Sequence, residues 1–210
     1  MTFKRVGFDI DPKLFEQAGV DIHDPNLRAR AEERNKQMNK RFNRELKQKQ
    51  SNAVWSKSLW ASGEIKFTLN EWKPEERSNP VKAKNLGNKA FKLAKEMVNG
   101  HLNVIMSGDA GVGKTSLALA MINMLRETGK TALFVSTVAL NELVSEQYEY
   151  SDRKKRLQEL ARAMKTCDVL LLDDLGADGG SAEKVMGYGY TGTRKDLQAL
   201  LFDIANNRYE

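Results

Sequence analysis

The sequence predicts an α/β fold, with a three-layer core around a parallel sheet and a small helical appendage at its N-terminus. Three observations lead to this prediction. A glycine-rich loop joins one apolar run to a helix, a second apolar run ends in two carboxylates, and helical segments alternate with the apolar runs. Such alternation is typical of parallel strands that are covered by helices on both faces.

The first predicted core strand, Leu102–Met106, leads through the loop 108–115 into a helix over Ser116–Leu125. The loop fits the phosphate-binding pattern G-x-x-x-x-G-K-[ST], the P-loop. Its glycines permit positive φ, so that backbone N–H groups converge on phosphate at the helix N-terminus. The less specific alternative is a glycine turn with a solvated lysine. The predicted nucleotide-binding residues are Gly108, Asp109, Ala110, Gly111, Val112, Gly113, Lys114, Thr115 and Ser116.

Two motifs supply the predicted chemistry. In the P-loop, Lys114 is expected to contact the β- and γ-phosphates as a catalytic cation, and Thr115 to offer a hydroxyl to Mg²⁺. The apolar run 168–174 resembles a Walker B strand, in which Asp173 holds Mg²⁺ and Asp174 orients or deprotonates the attacking water. Taken alone, two such acids usually mark a strand end followed by a solvated turn. A P-loop upstream favours the metal site.

Between the two motifs, a strand is predicted over Thr131–Thr137, followed by helices over 138–148 and 152–165. Two tyrosines, Tyr148 and Tyr150, adjoin the cations that begin at Arg153. Aromatic rings beside phosphate-pairing charges are typical of single-stranded DNA binding. A charged helix start with two tyrosines at its rim is the alternative, and the sequence favours it slightly.

Positive charge is concentrated near the N-terminus. The net charge is +6, and residues 27–49 hold nine basic residues against three acidic ones. Asp24-Pro25 is a typical cap, so we predict a helix over Pro25–Gln50, after a shorter one over residues 11–19. Its thin apolar stripe suits a docking helix for a partner protein or a solvated basic helix, and nucleic acid contact ranks third.

The predicted domains are a basic helical appendage at 1–55, a linker at 56–79 that partly packs on the core, and a nucleotide-binding core at 80–210. Asn79-Pro80 is expected to cap a helix that ends near Gly100. No apolar run reaches membrane-spanning length and no secretory leader is evident, so a cytoplasmic protein without membrane contact is expected. The single Cys167 is interpreted as a packing residue.

From about Phe67 onward, the chain resembles the AAA+ ATPases that load replicative helicases, of the DnaC/DnaI type, and more distantly the transposition helper ATPases of the IstB type. The resemblance rests on Phe67 and Trp72, on the loop Ser107–Thr115, on Leu171–Gly176 and on Leu200–Tyr209. It implies ATP as the nucleotide, a hexameric replicative helicase bound by the appendage, single-stranded DNA bound by the core, and self-assembly through the core.

The chain departs from the family pattern after Arg208-Tyr209. The family's sensor 1 strand, which lies between the P-loop strand and the Walker B strand, and its arginine finger have no counterpart here. We therefore expect a fragment, or strands supplied by another chain, or direct pairing of Walker B with the P-loop strand. Turnover by the chain alone should be slow or absent, since such an arginine contributes about 10³- to 10⁵-fold.

Three functional hypotheses follow. The leading one is an ATP-binding replication protein that loads the replicative helicase onto single-stranded DNA. The alternatives are a transposition helper ATPase of the IstB type and a non-enzymatic adaptor that binds a helicase while its ATPase core is inert.

Overall fold

A computed structural model of the protein describes residues 25–100, 102–175 and 191–209. The predicted helix over residues 11–19 lies outside the described residues. The chain divides into two compact units, Met1–Glu45 and Leu46–Glu210. In the described part of the first unit, residues 29–45 are helical and exposed, and Arg41 pairs with Glu45 at 2.9 Å. Met38 and Phe42 are both more than 60% exposed there.

The helices alternate with strands β1 and β2 along the chain. The helices are α1 Leu27–Trp55, α2 Pro80–Asn99, α3 Lys114–Glu127, α4 Thr137–Glu146, α5 Ser151–Thr166 and α6 Thr191–Tyr209, and the strands are β1 Ala132–Ser136 and β2 Val169–Asp173. Short 3₁₀ helices at Leu69–Glu71 and Pro74–Glu76 precede α2. None of these described helices is long and apolar enough to cross a membrane.

Helix α1 extends five residues beyond its predicted end at Gln50. Its last turn is held by contacts with residues distant in sequence, because Ser51 is fully buried and donates its hydroxyl to the carbonyl of Lys130 at 2.8 Å. Trp55 is buried beside Phe134 and Leu119. The second unit thus begins within the predicted appendage, and the predicted boundaries at 55/56 and 79/80 stay predictions.

The strands β1 and β2 pair in parallel, with Ala132 opposite Val169 and Ser136 opposite Asp173. One face of this sheet packs against α4, α5 and α6 through Leu133 and Val135. The other face packs against α3 and the end of α1 through Phe134. Helices therefore cover both faces of a parallel sheet, which agrees with the predicted α/β architecture, although the described sheet has two strands instead of three.

Two residues of the predicted linker take part in this core. Leu59 forms a parallel bridge to Val135 at the free edge of β1, donating to the carbonyl of Phe134 at 2.8 Å. Trp72 is buried between α2 and α3. Helix α2 begins as predicted, with the side chain of Asn79 accepting from the Lys82 amide at 2.9 Å.

The predicted P-loop strand at Leu102–Met106 is wrong. These residues form no strand, and Ile105 is 92% exposed. Direct pairing of the Walker B strand with this segment is also excluded, because within the described residues β2 pairs with β1 alone. An apolar run becomes a strand only when a neighbour satisfies its backbone groups, and the described residues supply none here.

Candidate nucleotide-binding site

The glycine-rich loop has the backbone that phosphate binding requires. Gly108, Gly111 and Gly113 have φ values of 144°, 77° and 96°, where side chains are strained. Gly113 caps α3, so the helix begins at Lys114, two residues earlier than predicted. The first amides of α3, which lack partners within the helix, and its dipole face the loop and favour an anion.

The lysine of the loop holds the loop together. Lys114 Nζ donates to the carbonyls of Gly108 and Asp109, both at 2.9 Å. The ammonium group is therefore held at the start of the loop, beside the backbone of Gly108 and Asp109. Two backbone carbonyls orient it, which fixes a side chain that otherwise has four free torsions.

The two predicted metal residues meet between α3 and β2. Thr115 Oγ1 lies 3.0 Å from both carboxylate oxygens of Asp173. Thr115 is in the first turn of α3, and Asp173 is the last residue of β2. A hydroxyl and a carboxylate are the hard oxygen donors that Mg²⁺ binds, with water and phosphate completing its shell. The residues present therefore fit this cation.

The electrostatics of this pair also suit a cation. Burial raises the pKa of Asp173, the Thr115 hydrogen bond lowers it, and repulsion by Asp174 raises it again. The net shift of the Asp173 pKa is upward, so burial disfavours the negative charge of this carboxylate when no cation is bound. A divalent cation would reverse this balance.

Sequence reasoning missed Trp72 as a structural support of the loop. Its indole Nε1 donates to the carbonyl of Ala83 at 3.0 Å, and its ring lies against Gly113, where an added Cβ would come within 2.7 Å of Cζ3. The ring also lies against Gly87 of α2, where an added Cβ would come within 2.8 Å of Cδ1. The guanidinium of Arg77 stacks on this ring at 4.6 Å. The signal that could have indicated this role is a large apolar side chain in an otherwise polar linker.

A second missed residue is Thr137, the first residue of α4. It is 1% exposed, and its hydroxyl lies 3.1 Å from the carbonyl of Asp173 and 2.7 Å from that of Asp174. The register of the sheet brings it there, since Ser136 lies opposite Asp173. A buried threonine after a strand gives no local signal of such a role.

The predicted single-stranded DNA contacts lie away from these groups. Tyr148 and Tyr150 are 72% and 55% exposed. The Tyr148 hydroxyl donates to Asp196 at 2.7 Å, a hydrogen bond that raises the pKa of the phenol, and Arg153 pairs with Glu146 at 3.3 Å. Two of the three groups are thus already engaged by acids, and their role stays a prediction.

A phosphate-cradling loop, its lysine and a hydroxyl beside the strand-end carboxylate together define a P-loop nucleotide-binding protein. The chain belongs to the family of IstB-like ATP binding proteins, whose pattern it matches over residues 84–210. That range includes the loop, Asp173, Asp174 and Thr137. Trp72 and the N-terminal appendage precede it.

The chain is also similar to a Pseudomonas aeruginosa protein described as the ATP-binding protein of insertion sequence IS21. The two are 30% identical over 108 residues, which cover 51% of this chain and 34% of the relative. The chain thus spans about a third of that relative's length. No solved structure matches the chain. These relationships favour the transposition hypothesis over helicase loading, which the sequence had put first.

Proposed function

We propose that this chain is an ATP-binding and ATP-hydrolysing helper protein of DNA transposition. The observation that carries the proposal is the contact between Thr115 and Asp173, which joins the P-loop to the Walker B strand in one site. The interpretation of this loop as a glycine turn with a solvated lysine does not explain its contact with a strand-end carboxylate. The proposal joins this geometry to the family of ATP-binding proteins to which the chain belongs.

Each residue of the site has a task in hydrolysis. The amides at the start of α3 and the Lys114 ammonium bind the phosphates and stabilise the charge that shifts onto them as the terminal bond breaks. Thr115 and Asp173 would hold Mg²⁺, which supplies further neutralisation of phosphate charge when bound. Asp174 would orient the attacking water and accept its proton. The products are ADP and phosphate.

Support for transposition over helicase loading comes from the relatives. The similar P. aeruginosa protein is named for an insertion sequence, whereas the helicase-loader reading rests on motif resemblance. On this proposal, we expect the chain to contact DNA. Helix α5 offers exposed cations for phosphate contact, namely Lys154, Lys155, Arg156 and Arg162. Contacts of this kind bind duplex DNA without reading its sequence.

The test combines DNA binding with nucleotide state. We expect the full chain with Mg²⁺ and ATP to bind duplex DNA more tightly than single strands, and to bind less tightly without nucleotide. Replacing both Lys154 and Lys155 by Ala should lower the slope of log affinity against log salt by about two. Lys89→Ala, an exposed lysine of α2, is the matched control and should leave the slope unchanged.

Two results would redirect the proposal. A preference for single strands, together with a stable complex with a hexameric helicase, would support helicase loading instead. Equal DNA binding with and without nucleotide, and in Lys114→Ala, would support the adaptor with an inert ATPase core. An arginine supplied by a neighbouring subunit can raise the rate of P-loop enzymes by about 10³- to 10⁵-fold. Hydrolysis by the chain alone is therefore expected to be slow, and single-turnover experiments should be used because they detect slow rates.

A further inference from the structure

Asp174 has an unusual backbone. Its φ is 58°, and it is the one non-glycine residue with positive φ among the described residues. For residues other than glycine this left-handed conformation is uncommon, although Asp tolerates it better than most. Along a continuing strand, successive side chains point to opposite faces. The turn at Asp174 breaks that alternation immediately after the metal-binding carboxylate.

One buried side chain contacts this turn from the start of α4, directly after the neighbouring strand β1. Thr137 Oγ1 is 2.7 Å from the Asp174 carbonyl and 3.1 Å from that of Asp173, so its single proton spans the two peptide groups that flank the turn. Thr137 follows β1 without a loop and begins α4, and it is 1% exposed. Its position is therefore fixed by the sheet and by the helix together.

We propose that Thr137 is a positioning residue for the carboxylate of Asp174. By bonding the carbonyls on both sides of the Asp174 Cα, its hydroxyl fixes the peptide planes that set where the Asp174 side chain points. The proposal rests on the proposed function, in which Asp174 receives the proton of the attacking water. In this role Thr137 touches neither the nucleotide nor the water and acts through the two peptide groups that flank the Asp174 Cα.

The role has a defined energetic logic. A left-handed aspartate relaxes towards extended or helical backbone unless its surroundings hold it. A displacement of about 1 Å at a reacting group can lower a rate by about 10²-fold. ATP binding depends on the P-loop and on Thr115 with Asp173, which precede the turn. Loss of the Thr137 hydroxyl should therefore reduce the rate of hydrolysis while ATP affinity stays the same.

The experiment compares single-turnover hydrolysis and equilibrium binding of Mg²⁺-ATP in the full chain. Thr137→Val removes the hydroxyl at nearly constant volume, and Thr137→Ser keeps it. Thr128→Val is the matched control, since its hydroxyl also donates to a backbone carbonyl, that of Leu125 at 2.7 Å, at the far end of α3. Asp174→Ala reports whether the carboxylate acts at all.

We expect Thr137→Val to hydrolyse ATP about 10- to 100-fold more slowly with unchanged ATP affinity, and Thr137→Ser to retain the rate of the original chain. If Thr137→Val matches the original rate while Asp174→Ala is slow, the positioning role is overturned and the proposed function stands. If Thr137→Val loses ATP binding as well, Thr137 is structural and the inference fails. If the original chain and Asp174→Ala are equally slow, both the hydrolytic function and the inference fail.

Discussion

Each half of the nucleotide site is preceded by an apolar segment, and one of these two segments is a strand while the other is not. Val169–Asp173 is a strand, paired in register with β1, and it ends at the metal-binding carboxylate. Leu102–Met106 has the same apolar character and leads into the P-loop, yet it forms no strand, and Ile105 is almost fully exposed. Within the described parts of the chain, a neighbouring strand is present for Val169–Asp173 but not for Leu102–Met106.

The two halves of the site are thus held in place by different contacts. Walker B is held by the sheet, through β1 and the buried Thr137. The P-loop is held from the opposite side, where Trp72 fits between Gly87 and Gly113 and ties α2 to the start of α3. A missing strand partner thus leaves the glycine loop and the Thr115–Asp173 contact intact.

The largest expected effect concerns Trp72. Trp72→Ala should lower the free energy of unfolding by about 3–5 kcal/mol, because it empties the space between α2 and α3 and removes the indole bond to Ala83. Urea unfolding measures this. Trp72→Phe is the control that keeps most of the ring, and it should cost clearly less. Equal and small losses in both variants would mean that the ring does not support the loop.

A pair of alanine substitutions tests the difference between the two apolar segments. Leu133→Ala in β1, at a fully buried position, should lower the free energy of unfolding by about 2–5 kcal/mol. Ile105→Ala, at an exposed position, should change it by less than about 0.5 kcal/mol. The same urea experiment measures both. A large loss at Ile105 would show that the segment before the P-loop is packed or paired in solution.

Alanine substitutions at two glycines with positive φ distinguish the effect of backbone strain on stability from the effect on ATP binding. Gly113→Ala and Gly129→Ala both place a Cβ at φ near 90°, and this backbone strain should cost about 1–2 kcal/mol of stability in each. Only Gly113→Ala also forces the Trp72 ring away from the P-loop. ATP binding, measured by calorimetry, should therefore fall in Gly113→Ala and persist in Gly129→Ala. Loss of binding in both variants would trace the effect to general instability.

The smallest expected effect is the pH dependence at Asp173. Its folded-state pKa is raised, above all by burial, so the folded protein binds this proton more tightly than the unfolded chain. Stability without Mg²⁺ should accordingly fall as pH rises from about 3.9 through the raised value. Asp173→Asn should lack this part of the curve. Melting temperatures against pH in a chelating buffer measure it.

The effect of Mg²⁺ on the melting temperature tests whether Asp173 holds the cation. At neutral pH, Mg²⁺ should raise the melting temperature of the original chain and leave that of Asp173→Asn unchanged. Equal shifts in both proteins would place the cation elsewhere.

Local patterns predicted the parts of the fold that local chemistry determines. Asn79-Pro80 caps α2, and the glycine spacing of the P-loop predicted a helix after the loop, which begins two residues earlier than expected. Patterns failed where a distant contact decides. The last turn of α1 depends on the Ser51 bond to Lys130, and the 102–106 segment depends on a neighbour that its own residues cannot supply.

The site shows the same division. Thr115 and Asp173 were predicted from motifs as ligands of one cation, and the structure places them in contact. Trp72 and Thr137 were missed as supports because their partners, Gly113 and Asp174, lie about forty residues away in sequence. Only packing brings such residues together.

We expect the P-loop to bind nucleotide even though residues 102–106 pair with no strand among the residues that the structure describes. Equilibrium binding of a fluorescent ATP analogue with Mg²⁺ to the 210-residue chain tests it most directly, beside Lys114→Ala and the exposed-lysine control Lys89→Ala. We expect saturable binding by the original chain and the control, and at least about tenfold weaker binding by Lys114→Ala. Equal binding by all three proteins, or none by a folded original chain, would contradict it.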